Sequence, residues 1–285
     1  MIFICNYLFR GFITNLRSIF HRRPSSSAQL ETSHYQHGIP GIPTDGKVVL
    51  LKNSSNGALL YLIGTVHGSV QGAETVKEVI DYVRPDVVAV ELCKERAMAI
   101  MEWKPEDDTS LYMLFRRSMR AAGGLCMKFV IFIESCRERR SHANGIFPGL
   151  EFKVAIEESS RVGARCFYID QDMDVTLQQL CKVSTFYWLW SAYSTGVRGE
   201  VKYTRSFVQE MHSFQKELSP EIFKAMIEDR DKFMFTNLRS FQGKVVAAVG
   251  MGHMDGIELL WKQEEEDDNS SVFITVIEGG HGHSE

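Results

Sequence analysis

The period of the apolar positions changes several times along this chain, and each change predicts an element. Lys47 to Lys52 (KVVLLK) and Leu59 to Ile63 (LLYLI) are short apolar runs on either side of an Asn/Ser/Gly stretch at 53–57. Two such runs around a turn predict a β-hairpin. From 73 to 83, Val76, Val79, Ile80 and Val83 recur at helical spacing, and Pro85 stops that helix. Asp86 to Val90 (DVVAV) is an unbroken, mostly β-branched run, which predicts a strand buried on both faces. Strand, helix and strand within about 30 residues make a βαβ unit, whose two strands should be parallel.

The pattern returns downstream. A helix is expected over 151–161, a strand over 165–169, a long helix over 222–241, a strand over 244–249, a helix over 253–262 and a last strand over 272–277 (VFITVI). Between these units, 110–140 and 184–214 have helical composition. The second is aromatic, with Phe186, Tyr187, Trp188, Trp190 and Tyr193. It reads as a packed helix or as a lid or membrane-contact surface. The expected fold class is therefore α/β: a central, mostly parallel or mixed sheet with flanking helices and an inserted helical block. The acidic run Glu264 to Asp268 reads as a solvated loop. No solenoid repeat is visible.

The first 33 residues differ from the rest. No acid precedes Glu31, four arginines lie between Arg10 and Arg23, and Leu8, Phe12, Leu16, Ile19 and Phe20 follow a helical spacing. That composition suits a mitochondrial or plastid transit segment, an interfacial anchor helix or a secretory signal. Residues 34–46, rich in Gly and Pro, read as a linker, 47–278 as the folded domain and 279–285 as a tail. Helical insertions are expected at about 105–145 and 180–240 within that domain.

Bulk composition narrows the function classes. A net charge of −4 gives no electrostatic footprint for nucleic acid. No apolar run reaches the length of a membrane span. The six cysteines contain no CxxC pair and match no zinc module, so they read as buried free thiols in a reducing compartment.

Polar residues then gather at the ends of the expected strands. His67 follows strand 59–63 in Gly64-Thr65-Val66-His67, Glu91 follows 86–90, Asp170 follows 165–169, and His253 follows 244–249 in Gly250-Met251-Gly252-His253. If these strands are parallel, all four side chains share one edge of the sheet, where open α/β sheets bind ligands. Two imidazoles and a carboxylate are a common donor set for a divalent metal, which would generate a nucleophile from water at neutral pH. Each residue also has a plain structural use: a strand-end histidine often only donates a hydrogen bond, and Glu91 could cap a helix. Arg230, within Glu228-Asp229-Arg230-Asp231, could bind a carboxylate or stabilise an oxyanion, or belong to a solvated face of alternating charges. Gly250-Met251-Gly252 after a strand, with Glu278 further on, also suggests a dinucleotide loop. Only 29 residues follow Gly256, too few for a Rossmann half. His281 and His283 lie in the Gly-rich tail.

Five segments in order carry a resemblance: IGTVHGS (63–69), DVVAVELCKER (86–96), PGLEFKVAIEES (148–159), Asp229-Arg230-Asp231 and VVAAVGMGHMDGI (245–257). Together the chain resembles the TraB/PrgY family, most closely its eukaryotic members, over roughly 47–278. The resemblance extends distantly to Tiki metalloproteases, ChaN-like haem-binding proteins and erythromycin-esterase-like proteins. It implies a peptidase-like hydrolase with a divalent metal (Mn, Co or Zn) at His67, His253 and Glu91, with Arg230 as companion; Asp170, from its place at a strand end, joins them as a candidate catalytic residue. It implies a peptide substrate and association with mitochondria, through the amino-terminal segment rather than a carboxy-terminal anchor. A non-enzymatic mitochondrial regulator or tether, and a haem or small-molecule binder, are the alternative readings.

Overall fold

The computed structural model describes residues 35–103, 110–183 and 204–279. The amino-terminal 33 residues, the aromatic run at 186–193, Cys5 and the tail with His281 and His283 lie outside the described residues.

The chain runs β1 (Val48–Lys52), β2 (Leu59–Thr65), α1 (Val70–Val83), β3 (Val87–Val90), α2 (Lys94–Glu102), α3 (Leu111–Arg120), α4 (Leu125–Ala143), α5 (Leu150–Val162), β4 (Arg165–Tyr168) and α6 (Met173–Val183). After the undescribed stretch come α7 (Arg205–Leu218), α8 (Pro220–Phe223), a π-helical segment (Lys224–Glu228), α9 (Asp229–Arg239), β5 (Lys244–Gly250) and α10 (Met251–Gly279). The five strands form one sheet in the order β1-β2-β5-β3-β4. The β1–β2 hairpin is antiparallel, and β2, β5, β3 and β4 are mutually parallel. This is the mixed α/β fold the apolar pattern predicts. The pattern did not reveal that β5, the last strand among the described residues, lies between β2 and β3.

Both faces of the sheet are covered, which is why β3 and β5 read as near-continuous apolar runs. Along β5 the side chains alternate between two cores. Val246 and Ala248 join Val76, Val79 and Ile80 of α1 and Phe152 of α5. Val245, Ala247 and Val249 join Met234 and Leu238 of α9 and Met254, Ile257 and Trp261 of α10. A third cluster, with Met127, Val130, Leu180 and Met226, binds α4, α6 and the π segment together. The five described cysteines are free thiols.

Three expectations change. Residues 272–277 are part of α10 and not a strand: no Gly or Pro interrupts 257–278, so the helix that starts at Met251 continues. The acids at 264–268 lie on the same helix rather than in a loop, and Asp268 pairs with Arg239 at 2.6 Å. The linker-like stretch packs on the sheet, with Ile39 and Ile42 buried in the first core.

Candidate functional site

The carboxyl ends of β2, β3, β4 and β5 meet at one edge, and the four predicted residues lie there, each nearly inaccessible: His67 (8% exposed), Glu91 (2%), Asp170 (5%) and His253 (1%). Arg230 joins them from the first turn of α9 at 3% exposure. His67 lies two residues past the end of β2, and the chain turns away after it at Gly68, whose φ of +76° favours glycine. His253 lies in the first turn of α10, directly after β5.

Each imidazole is held from behind by a buried carboxylate. His67 Nδ1 is 2.6 Å from Glu151 Oε1, and Glu151 Oε2 accepts the Gly68 amide at 3.0 Å. His253 Nδ1 is 2.6 Å from Asp231 Oδ1. An ionised carboxylate only accepts, so Nδ1 carries the hydrogen in both rings and Nε2 faces forward. His253 Nε2 is 3.3 Å from Glu91 Oε1. A Cβ placed on Gly250 would be 3.0 Å from His67 Nε2 and 3.1 Å from Glu91 Oε2. The absence of a side chain at position 250 therefore leaves a cradle between those two groups.

Glu91 is itself pinned. Its Oε2 accepts the Gly250 amide at 2.5 Å, and its Oε1 accepts Arg230 Nη2. Arg230 also donates from Nε and Nη2 to the two oxygens of Asp170, both at 2.9 Å, and from Nη1 to the Met226 carbonyl at 3.2 Å. Arg96 donates to Asp170 Oδ2 at 2.8 Å. Asp170 thus clamps two guanidiniums, and Arg230 orients Glu91 from within the protein.

Burial raises the Glu91 carboxyl, yet His253 and Arg230 beside it outweigh that and hold it well below its ordinary range. For His253, burial favours the neutral ring, but Glu91 opposite and Asp231 behind push its pKa well above the ordinary value. Asp231 rises to about 6, because burial exceeds the pull of His253 and Arg230. His212, on α7 and facing Gly252, falls to about 4, first through burial and then through the charge on His253.

His67, Glu91 and His253 offer the donor types that could hold a divalent cation. Four buried carboxylates (Glu91, Glu151, Asp170, Asp231) face two buried guanidiniums (Arg96, Arg230), which leaves two negative charges when both histidines are neutral. Either two protons or one divalent ion neutralises them, and a buried uncompensated charge is too costly to leave. A carboxylate behind Nδ1, with Nε2 turned to the opposite side, is the usual support of a metal-binding histidine. The three donors are not packed as tightly as they would be around an ion: among the described residues, only Cys93, Glu95 and Asp172 have donor atoms all within 4.8 Å of one another. Glu95 and Asp172 are exposed acids at the rim.

Sequence reasoning passed over Glu151, Asp231 and Arg96. The signals were present but ambiguous. Asp231 stands in a run that resembles a solvated helix face, and only half of that run is solvated. Glu228 and Asp229 pair at the surface with Lys216 and Lys224, whereas Arg230 and Asp231 are buried. Glu151 opens α5, where a first-turn acid is ordinarily explained by the helix dipole.

Comparison with known proteins gives the chain its relatives. The profile of the TraB/PrgY/gumN family matches residues 169–270, which include Asp170, Arg230, Asp231 and His253. An uncharacterized protein of Methanocaldococcus jannaschii is 30% identical over 228 residues, covering 75% of this chain and 56% of that protein. TraB domain-containing proteins of Bos taurus and Homo sapiens are 26% and 24% identical, over 73% and 74% of this chain and 64% and 65% of their own lengths. The chain therefore spans between half and two thirds of these relatives. By the matched profile and these shared sequences, the chain belongs to the TraB/PrgY/gumN family.

Proposed function

We propose that this chain is a metal-dependent hydrolase acting on peptide-like substrates, with a divalent ion (Mn, Co or Zn) held by His67, His253 and Glu91. The observation that carries the reading is the convergence of two carboxylate-backed imidazoles on one buried glutamate. A cation bound there supplies Lewis acidity and lowers the pKa of a water molecule. The protein's part is to keep the donors deprotonated and aimed. Glu151 and Asp231 fix the tautomer and rotation of the two rings. Arg230 and the Gly250 amide keep Glu91 ionised and still, and Asp170 with Arg96 holds Arg230 in place. In this assignment Arg230 and Asp170 are positioning residues, since their polar atoms face one another rather than a substrate.

The peptide assignment follows the resemblance to PrgY and Tiki proteins. A mitochondrial location is supported by the arginine-rich, acid-free composition of residues 1–30.

Elemental analysis of the purified full-length chain tests the reading. The expected result is a stoichiometric divalent metal in the wild type, lost in both His67→Ala and His253→Ala. Metal content unchanged in both variants, or a wild type that takes up no metal on reconstitution, would sink it.

A further inference from the structure

The helical hairpin of α3 and α4 has a surface that the site does not use. α3 buries only Leu114 and Ser118, four residues apart. α4 buries a stripe of Met127, Val130, Glu134, Arg137 and Ser141, which faces the third core cluster. What remains outside is strongly apolar. Tyr112 is 70% exposed and Leu125 is 77% exposed, with Leu111 and Phe115 about half exposed. The helices lean together through Phe115 and Phe132, whose rings meet edge to face at 5.5 Å. At the apex the chain turns through the small residues Ala121 to Gly124, the last three exposed, with φ of +99° at Gly123. Large apolar side chains left exposed along both helices of one hairpin mark a candidate interaction surface.

Charge identifies the partner. From Ser110 to Ala143 the chain carries seven arginines and lysines against two glutamates, a net +5 in a protein of net −4, which leaves −9 for the remainder. Arg116, Arg117 and Arg120 on α3, and Arg139 and Arg140 on α4, are exposed. None of the five pairs with a carboxylate among the described residues. Arg139 and Arg140 also line a cavity of about 410 Å³, together with Leu111, Cys136 and Ala143. Exposed aromatic and aliphatic side chains interleaved with unpaired arginines suit the headgroup layer of an anionic bilayer, where apolar groups enter and guanidiniums meet phosphates. No described helix is long and apolar enough to cross a membrane, so the contact would be peripheral.

We propose that the α3–α4 hairpin docks lengthwise onto an anionic lipid surface, with Leu125 beside the apex and Tyr112 at the open end meeting the headgroup layer, and the Arg139–Arg140 cavity, also at the open end, taking a lipid phosphate. The inference is independent of the metal site and of the amino-terminal segment.

Flotation of the full-length chain with vesicles of phosphatidylcholine alone, or of phosphatidylcholine with phosphatidylserine, tests it. Binding is expected only to the phosphatidylserine vesicles and weakens with added salt. Each basic residue near such a surface is worth roughly fivefold in partitioning, so Arg116→Ala, Arg117→Ala and Arg120→Ala combined lower it about a hundredfold. Leu125→Glu and the pair Arg139→Ala, Arg140→Ala each weaken it as well, while melting temperature and metal content stay at wild-type values. Wild-type flotation by these variants would assign membrane binding to another segment and overturn the proposal. Equal binding to both vesicle types would overturn it too, as would affinity for inorganic phosphate without flotation. So would self-association that Leu125→Glu abolishes and vesicles do not compete, since the occupant would then be a second copy.

Discussion

At the scale of single residues, the site depends on groups that touch no ligand. Glu151 and Asp231 hold the two histidines through single hydrogen bonds of 2.6 Å. Removing such a carboxylate typically weakens metal binding 10–100-fold. Under the metal reading, Asp231→Asn, which keeps an acceptor and loses the charge, is expected to cost about tenfold in metal affinity, and Asp231→Ala about a hundredfold. Competition against a chelating fluorophore measures both. Gly256 gives a sharper test. A glycine inside a helix usually gains about 1 kcal/mol on replacement by alanine. Here the new Cβ would stand 1.9 Å from Asp231 Oδ2 and 2.7 Å from its Cγ, and Asp231 cannot swing away without releasing His253. Overpacking costs typically 1–3 kcal/mol, so Gly256→Ala is expected to be destabilising in urea melts and to loosen metal binding, the reverse of the propensity rule.

At the scale of elements, α10 shows which contacts matter. It is joined to the rest of the fold by ion pairs from Arg239 to Glu265 and Asp268, and by Trp261, which is 2% exposed and donates its indole N–H to the Lys52 carbonyl at 3.1 Å. The acids are 20% and 37% exposed, where ion pairs contribute at most about 1 kcal/mol. Truncating a buried tryptophan costs about 3–5 kcal/mol. Arg239 also lies over the Trp261 ring, 4.9 Å from its centroid, so denaturant unfolding should separate Arg239→Ala, moderately weakened, from Trp261→Ala, severely weakened; equal losses would show that Arg239 carries as much of the attachment as the tryptophan. The π-helical segment at Lys224–Glu228, just before Arg230, belongs at this scale too. Wide turns of this kind are frequent at functional sites, and its carbonyl at Met226 accepts from Arg230 itself.

At the scale of the whole molecule, the site joins the ends of four strands and the starts of two helices, so whatever binds it ties distant parts of the chain together. Under the metal reading, an ion at 100 times its dissociation constant adds about 2.7 kcal/mol to stability. For a chain of this size that raises the melting temperature by about 5–10 °C. Manganese, cobalt or zinc should give this shift, a chelator should reverse it, and His253→Ala should show none. A melting temperature indifferent to all three metals would count against the ion.

The sequence by itself determined the elements and the edge they end on. β3 and β5 were legible because strands covered on both faces must be apolar at every position, and α1 because Val76, Val79, Ile80 and Val83 can share a face only at helical period. Gly64 and Gly250 flagged His67 and His253, since a glycine after a strand marks a backbone with somewhere special to go. The sequence misled at 272–277, where β-branched residues favour a strand locally while an unbroken helix reaches them from Met251. Only the tertiary structure decided that β5 enters between β2 and β3, because strand order follows from how the two helical layers cover the sheet and leaves no local pattern. That insertion brings the Gly250 amide onto Glu91 and His253 into range of it. Burial was decided the same way: Asp231 and Glu151 look like any exposed acid in the chain, and become buried hydrogen-bond partners of His253 and His67 only once the packed helices have excluded water from around them.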